Sequence, residues 1–180
     1  MLRTISVSVL AVLAMVGTAS AQDDAFTLSG GYSQIQLDDF KLDAVTFRAG
    51  YDVNAYFGFE GQLDIGLGDD TVATCPAGAA CLVADPSVGL DYGVGLFAIG
   101  RLPVGERFSL FARGGYVHNE FSTNFSYTGG MDANSFAWGA GAELALTRAG
   151  SLRFDYTRTD YDGFGNGDAY SLAYVHRFGG

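Results

Sequence analysis

The chain has almost no lysine. Lys41 is the only one, and ten Lys and Arg residues together face twenty Asp and Glu in 180 residues. A basic patch able to follow a nucleic-acid backbone is thereby excluded, and no nucleic-acid partner is expected. Cysteine is nearly absent as well, with only Cys75 and Cys81, six apart in "CPAGAAC". There is no second Cys pair, no His stands near, and the spacing exceeds C-x-x-C, so no metal site and no cofactor is expected. Long apolar runs are also missing. After the first twenty-one residues no stretch is long enough to cross a bilayer as a helix, and no segment keeps a 3.6-residue apolar period. At this length a single domain is expected, with no segment that reads as a linker.

The first twenty-one residues, "MLRTISVSVLAVLAMVGTASA", carry one Arg near the start, an apolar run from Ile5 to Val16, and small residues at Ala19-Ser20-Ala21. This is the pattern of a cleaved secretory signal, residues 1–21, leaving a domain over 22–180 that starts at Gln22. The apolar run is too short for a helical anchor. Export places the two cysteines where thiols oxidise, so a disulfide closing the loop between Cys75 and Cys81 is expected.

What the remainder does have is glycine, rings and alternation. There are 26 Gly, 14 Phe and 10 Tyr. Period two runs through Val45, Phe47, Tyr51 and Val53 against Thr46, Arg48, Gly50 and Asp52. It continues through Phe57, Phe59, Leu63, Ile65 and Leu67 against Gly58, Glu60, Gln62, Asp64 and Gly66. Later segments repeat it, down to Tyr170, Leu172, Tyr174, His176 and Phe178 against Ser171, Ala173, Val175 and Arg177. In Val88–Ala98 the even positions, Leu90 included, are expected on the ring-rich face. Eight strands emerge. Tight connections at Asn54-Ala55, "PVGE" (Pro103–Glu106) and "RAG" (Arg148–Gly150) alternate with the outer connections: short "DDFK", then loops at 68–87, 119–133 and "DGFGNGDA". The fold class expected is all-β, an eight-stranded antiparallel up-and-down barrel.

Two barrels fit such alternation, and the non-aromatic face separates them. A soluble lipocalin-like barrel points its apolar face inward and coats the other with Lys and Glu. Here the second face is mainly Gly, Ser, Ala and Thr with isolated charges, which suits the cramped lumen of eight strands. The bulky face then looks outward, and only lipid accepts so continuous an apolar belt. A transmembrane barrel follows, with aromatic girdle positions at strand ends such as Tyr51, Phe57, Phe108, Tyr116, Phe136, Tyr156 and Phe178.

The segments "FTLSGGYS" at the first strand and "YVHRF" with Tyr174 and Phe178 at the last carry a family resemblance. Over Gln22 to Phe178 the chain resembles the small eight-stranded outer-membrane barrels of Gram-negative bacteria, the outer-membrane protein A and opacity-type superfamily. The resemblance implies location in the outer membrane, contact with its lipids and lipopolysaccharide, and a C-terminal signal at Tyr174 and Phe178 read by the outer-membrane assembly machinery. Members of the family usually end on the aromatic residue, whereas Gly179 and Gly180 follow here.

The inward charges are the candidate site. Arg48 and Glu60 lie about six residues from the first tight turn, and Arg113 and Glu143 stand at similar remove from the next two. One lumen layer of these four is expected, with Asp52, Asp64, Arg153 and Asp155 as neighbours. Such a network either fills the interior structurally or gates a narrow pore for small solutes or ions. A structural or cell-surface role, with an unidentified extracellular ligand, is expected over a pore. Some relatives modify lipid A, using Ser, His and an acid at the rim. In "HNEFS", His118, Glu120 and Ser122 do not match their adjacent His-x-Ser arrangement, and no enzymatic role is expected. Acidic outer-loop residues such as Asp38, Asp39, Asp160 and Asp168 offer a solvated surface, and "DYDGFGNGD" lacks the closing Glu of an EF-hand.

Overall fold

A computed structural model describes residues 26–37, 40–71, 87–123, 131–161 and 165–178. The N-terminal signal, Cys75 and Cys81 lie outside these residues. The strands are β1 (Phe26–Leu37), β2 (Phe40–Asp52), β3 (Phe57–Gly66), β4 (Asp69–Thr71), β5 (Ser87–Pro103), β6 (Phe108–Thr123), β7 (Met131–Ala145), β8 (Gly150–Tyr161) and β9 (Gly165–Phe178). The long strands pair antiparallel in the order β3-β2-β1-β9-β8-β7-β6-β5, and β3 pairs with β5, so the ring is closed. The three-residue β4 pairs with Ser87–Gly89 of β5 and extends β3 past Gly68. Eight staves therefore carry the wall, as the alternation predicts.

Which face is out is decided by exposure. Phe57, Phe59, Leu96 and Tyr116 are 64%, 62%, 71% and 71% exposed, while Arg48, Glu60, Arg113 and Arg153 are 2 to 4% exposed. Rings and aliphatics thus form the outer wall, and small and ionic groups fill the centre. Closure pairs each of the eight long strands on both sides, so a wall of this composition has its backbone groups paired within the ring and can stand in hydrocarbon.

Strand tilt follows from the register. Starting at Gly30 and stepping through Phe47, Leu63 and Val94 leads to His118 on β6. Stepping the other way through Tyr174, Leu152 and Leu144 leads to Phe108, ten residues away on the same strand. A stagger of about ten residues around eight strands corresponds to a tilt of about 40°.

Four expectations change. Leu90 is buried inside the barrel, because the register shifts between Leu90 and Tyr92 and the extra residue, Asp91, reverses the alternation there. The loop expected over 68–87 contains β4, and the loop expected over 119–133 begins and ends in strand: β6 continues to Thr123 and β7 begins at Met131. Asn119 and Phe121 accordingly point inward and are buried. The final loop also shrinks, since β9 begins at Gly165 and Asp168 belongs to a strand.

Candidate functional site

The lumen is filled in three levels. At mid-height five charged side chains meet, from β2, β3, β6 and two from β8. Glu60 accepts from Arg113 Nη1 at 2.9 Å and from Arg153 Nη1 at 2.5 Å. Asp155 accepts from Arg113 Nη2 at 3.0 Å, Arg153 Nε at 3.2 Å and Arg48 Nη2 at 3.3 Å. Three guanidinium groups are thus held by two carboxylates. Gln62 Oε1 accepts from Arg48 Nε at 3.0 Å and Arg113 Nη1 at 2.7 Å, and Gln62 Nε2 donates to Asp64 at 2.7 Å, bringing a third carboxylate into the network. The planar fork of Arg suits this bridging, because each guanidinium offers five donors in fixed directions.

Aromatic rings complete the level. The Arg113 guanidinium lies 4.4 Å from the Phe97 ring centroid, and that of Arg153 lies 4.2 Å from the Phe111 centroid. Such stacking lets a desolvated cation meet the ring's negative face. Each ring occupies space that a glycine leaves open: a Cβ on Gly95 would fall 2.7 Å from the Phe97 ring, and one on Gly141 would fall 2.5 Å from the Phe111 ring.

A second ionic level lies toward the short-turn end. Asp52 accepts from Arg101 and, at 2.7 Å, from Arg177 Nη1. Glu143 accepts from Ser151 Oγ at 2.6 Å and lies 3.8 Å from Arg177 Nη2. Toward the long-loop end the filling turns apolar: Ile35, Leu42, Ala44, Leu90, Phe121 and Tyr161 form one buried cluster. Between that cap and the middle level, Thr46 Oγ1 donates to Asp64 at 2.5 Å and bonds Ser33 at 2.6 Å. Asn119 Nδ2 donates to the Tyr161 hydroxyl at 2.5 Å.

Of the eight lumen charges expected from sequence, Arg48, Glu60, Arg113, Arg153 and Asp155 come together, with Asp64 joined through Gln62. Glu143 and Asp52 do not join them but belong to the lower level. Gln62 and Arg177, expected on the small-residue face but not among the lumen charges, join the two ionic levels, and Arg101, Phe97 and Phe111 are additions; each stands at an inward position of its strand, which is the signal that finds them. Tyr174 and Phe178 face outward on β9, where Phe178 packs against Phe26 and His176 at centroid distances of 5.8 and 4.7 Å. His118 is on the outer wall, with Nδ1 3.0 Å from Asn134 Oδ1 and its ring 6.5 Å from that of Tyr92.

A family model, described as the outer membrane protein beta-barrel domain, matches residues 7–178. The chain belongs to this family. As an outer-membrane barrel it has solved structural counterparts. It aligns with Ail, the attachment invasion locus protein of Yersinia pestis, at a TM-score of 0.60 and 19% identity, covering 87% of this chain and 100% of that one. The N-terminal barrel domain of OprF from Pseudomonas aeruginosa aligns at 0.60 and 12%, covering 87% and 100%. OprG of the same organism gives 0.60 and 12%, covering 87% and 97%. These likenesses concern the fold. A comparison with curated protein sequences gave no match. The site of action is the outer membrane, where barrels of this type turn their short connections to the periplasm and their longer ones outward.

Proposed function

We propose that the protein is a sealed, non-enzymatic barrel that presents its outer rim and loops at the cell surface, in a structural or adhesive role. The observation that carries this reading is the filled lumen. Five mid-level charged side chains are each at most 4% exposed, and the apolar cap above them shows no more than 8% at any residue. Water able to carry ions past those groups would expose them. Narrow conduction gated by the salt bridges is the competing reading, and it requires both levels to part together. Lipid A chemistry finds little support: His118 bonds Asn134, not a serine hydroxyl, among the described residues. The Yersinia pestis Ail structure contains the heparin analogue sucrose octasulfate. A surface ligand of this chain fits the same general role, although an outer rim rich in Asp and Glu favours a less anionic one.

The same proposal assigns residues 1–21 as a cleaved signal, Cys75–Cys81 as a disulfide formed on export, and Tyr174 with Phe178 as the assembly signal. One preparation tests it. Protein taken from outer membranes should begin at Gln22 and give no channel steps in a planar bilayer. Steady conductance in the unaltered protein would overturn the sealed barrel.

A further inference from the structure

The apolar belt is not level around the barrel. With strands tilted about 40°, each step of register from β1 toward β2 climbs about 1.25 residues, each step from β1 toward β9 and β8 descends as much, and each residue rises about 2.5 Å. On that scale Gln34 of β1, Arg158 of β8 and Val94 of β5 stand at one height to within about one residue. All three face outward. Two are polar and one is aliphatic, so the same level is wet on one side of the barrel and greasy on the other.

The aromatic boundary tracks this difference. On β1, β8 and β9 the topmost outward rings are Tyr32, Tyr156 and Tyr170, and their surroundings are already polar. The Tyr32 hydroxyl donates to Asp43 at 2.5 Å, the Tyr156 hydroxyl donates to Asp168 at 2.6 Å, and Arg158 Nη1 lies 3.5 Å from Asp168. Above them follow Gln34, Gln36 and Asn166. On β5, β6 and β7 the apolar wall rises further, to Tyr92, beside His118, and to Phe136. Register places these rings about three residues, or about 7 Å, above the tyrosines opposite. At the short-turn end the two sides agree, since His176 on β9 and Phe57 on β3 are level to within about one residue. A rigid tilt would shift both ends of the belt in parallel, so tilt alone does not remove the difference.

We propose that lipid meets this barrel at two heights: the polar wall of β8, β9 and β1 draws outer-leaflet headgroups down against Gln34, Arg158 and Asp168, thinning the bilayer on that side. The occupant fits by chemistry, because the wall offers amides, a guanidinium, carboxylates and phenol hydroxyls to the hydroxyl- and phosphate-bearing heads of lipids. Nothing apolar on that stretch holds acyl chains at the higher level.

Trp138 is the only tryptophan, so depth can be read by fluorescence. In a Trp138→Phe background, Gln34→Trp and Val94→Trp form an outer pair at equal height, and His176→Trp and Phe57→Trp an inner pair. Each variant is reconstituted in phosphatidylcholine vesicles with lipids brominated along the acyl chain. Folding is checked by gel mobility before and after heating, and all four positions face outward, away from the lumen. The expected result is several-fold stronger quenching and bluer emission for position 94 than for position 34, with the inner pair alike. Equal quenching at 34 and 94 would overturn the proposal. So would an inner pair that differs as much as the outer pair, which would mean a tilted barrel in an undisturbed bilayer.

Discussion

Arg153 is 2% exposed and yet fully charged in character, held by Glu60 and Asp155 on one side and stacked on Phe111 on the other. Interior ion pairs of this kind are weak evidence for stability as pairs, but removing one partner is costly because the other stays buried and unpaired. Glu60→Gln should therefore destabilise the barrel by about 3 kcal/mol, read as a lower urea midpoint for unfolding from detergent micelles. Pairing it with Arg153→Met should recover part of the loss; a double variant worse than either single change would contradict the network described. At this scale the sequence was half legible. Alternation named the inward charges, but not which of them meet, since counting residues from each turn ignores the stagger of tilted strands. Glu143 stands at the same remove from its turn as Arg48 and Arg113, yet register sets it about three residues lower. Phe97 and Phe111 fall outside the small-residue pattern of the inward face, and glycines on neighbouring inward positions make room for them.

At the scale of elements, the register on either side of the bulge at Asp91 decides what closes the outer end. Below it β5 keeps strict alternation; above it Leu90 turns inward and joins Ile35, Leu42, Phe121 and Tyr161. Deleting Asp91 should leave Leu90 opposite Phe121, since the two flanking segments then share one register. Stability should change by no more than about 1 kcal/mol. A cysteine placed at position 90 in that deletion should stay protected from a water-soluble thiol reagent; rapid labelling would show that the bulge, not the register, holds the residue inside. Strand number and order were legible because eight alternating runs leave few other arrangements. The loop boundaries were not. Polar residues such as Glu120 and Ser122 read as loop, but above the lipid boundary the outward face meets water and polar strands are stable there.

For the whole molecule, orientation was the legible quantity: a belt of exposed rings around a charged centre follows from the small, charge-poor second face. Closure gives a direct measurement. Unheated protein in dodecyl sulfate should migrate as a compact species and shift on boiling, and a single unshifted band would contradict a closed ring. The unevenness of the belt was not legible, because it appears only once the register fixes relative heights.

The first and last strands lie side by side, Phe26 against Phe178 and Leu37 against Gly167. Arg177, one residue from that seam's end, also supplies one of the two cations that hold Asp52, with Arg101 the other. Synthesis and transport deliver β1 long before its neighbour exists, so no ribosome-bound or half-exported fragment can complete the cylinder. Bringing such distant stretches together makes assembly slow and all-or-none. Until β9 arrives, the chain must travel with its hydrocarbon-seeking face shielded by something else, and a nonsense codon shortly before the end should be as damaging as one near the start.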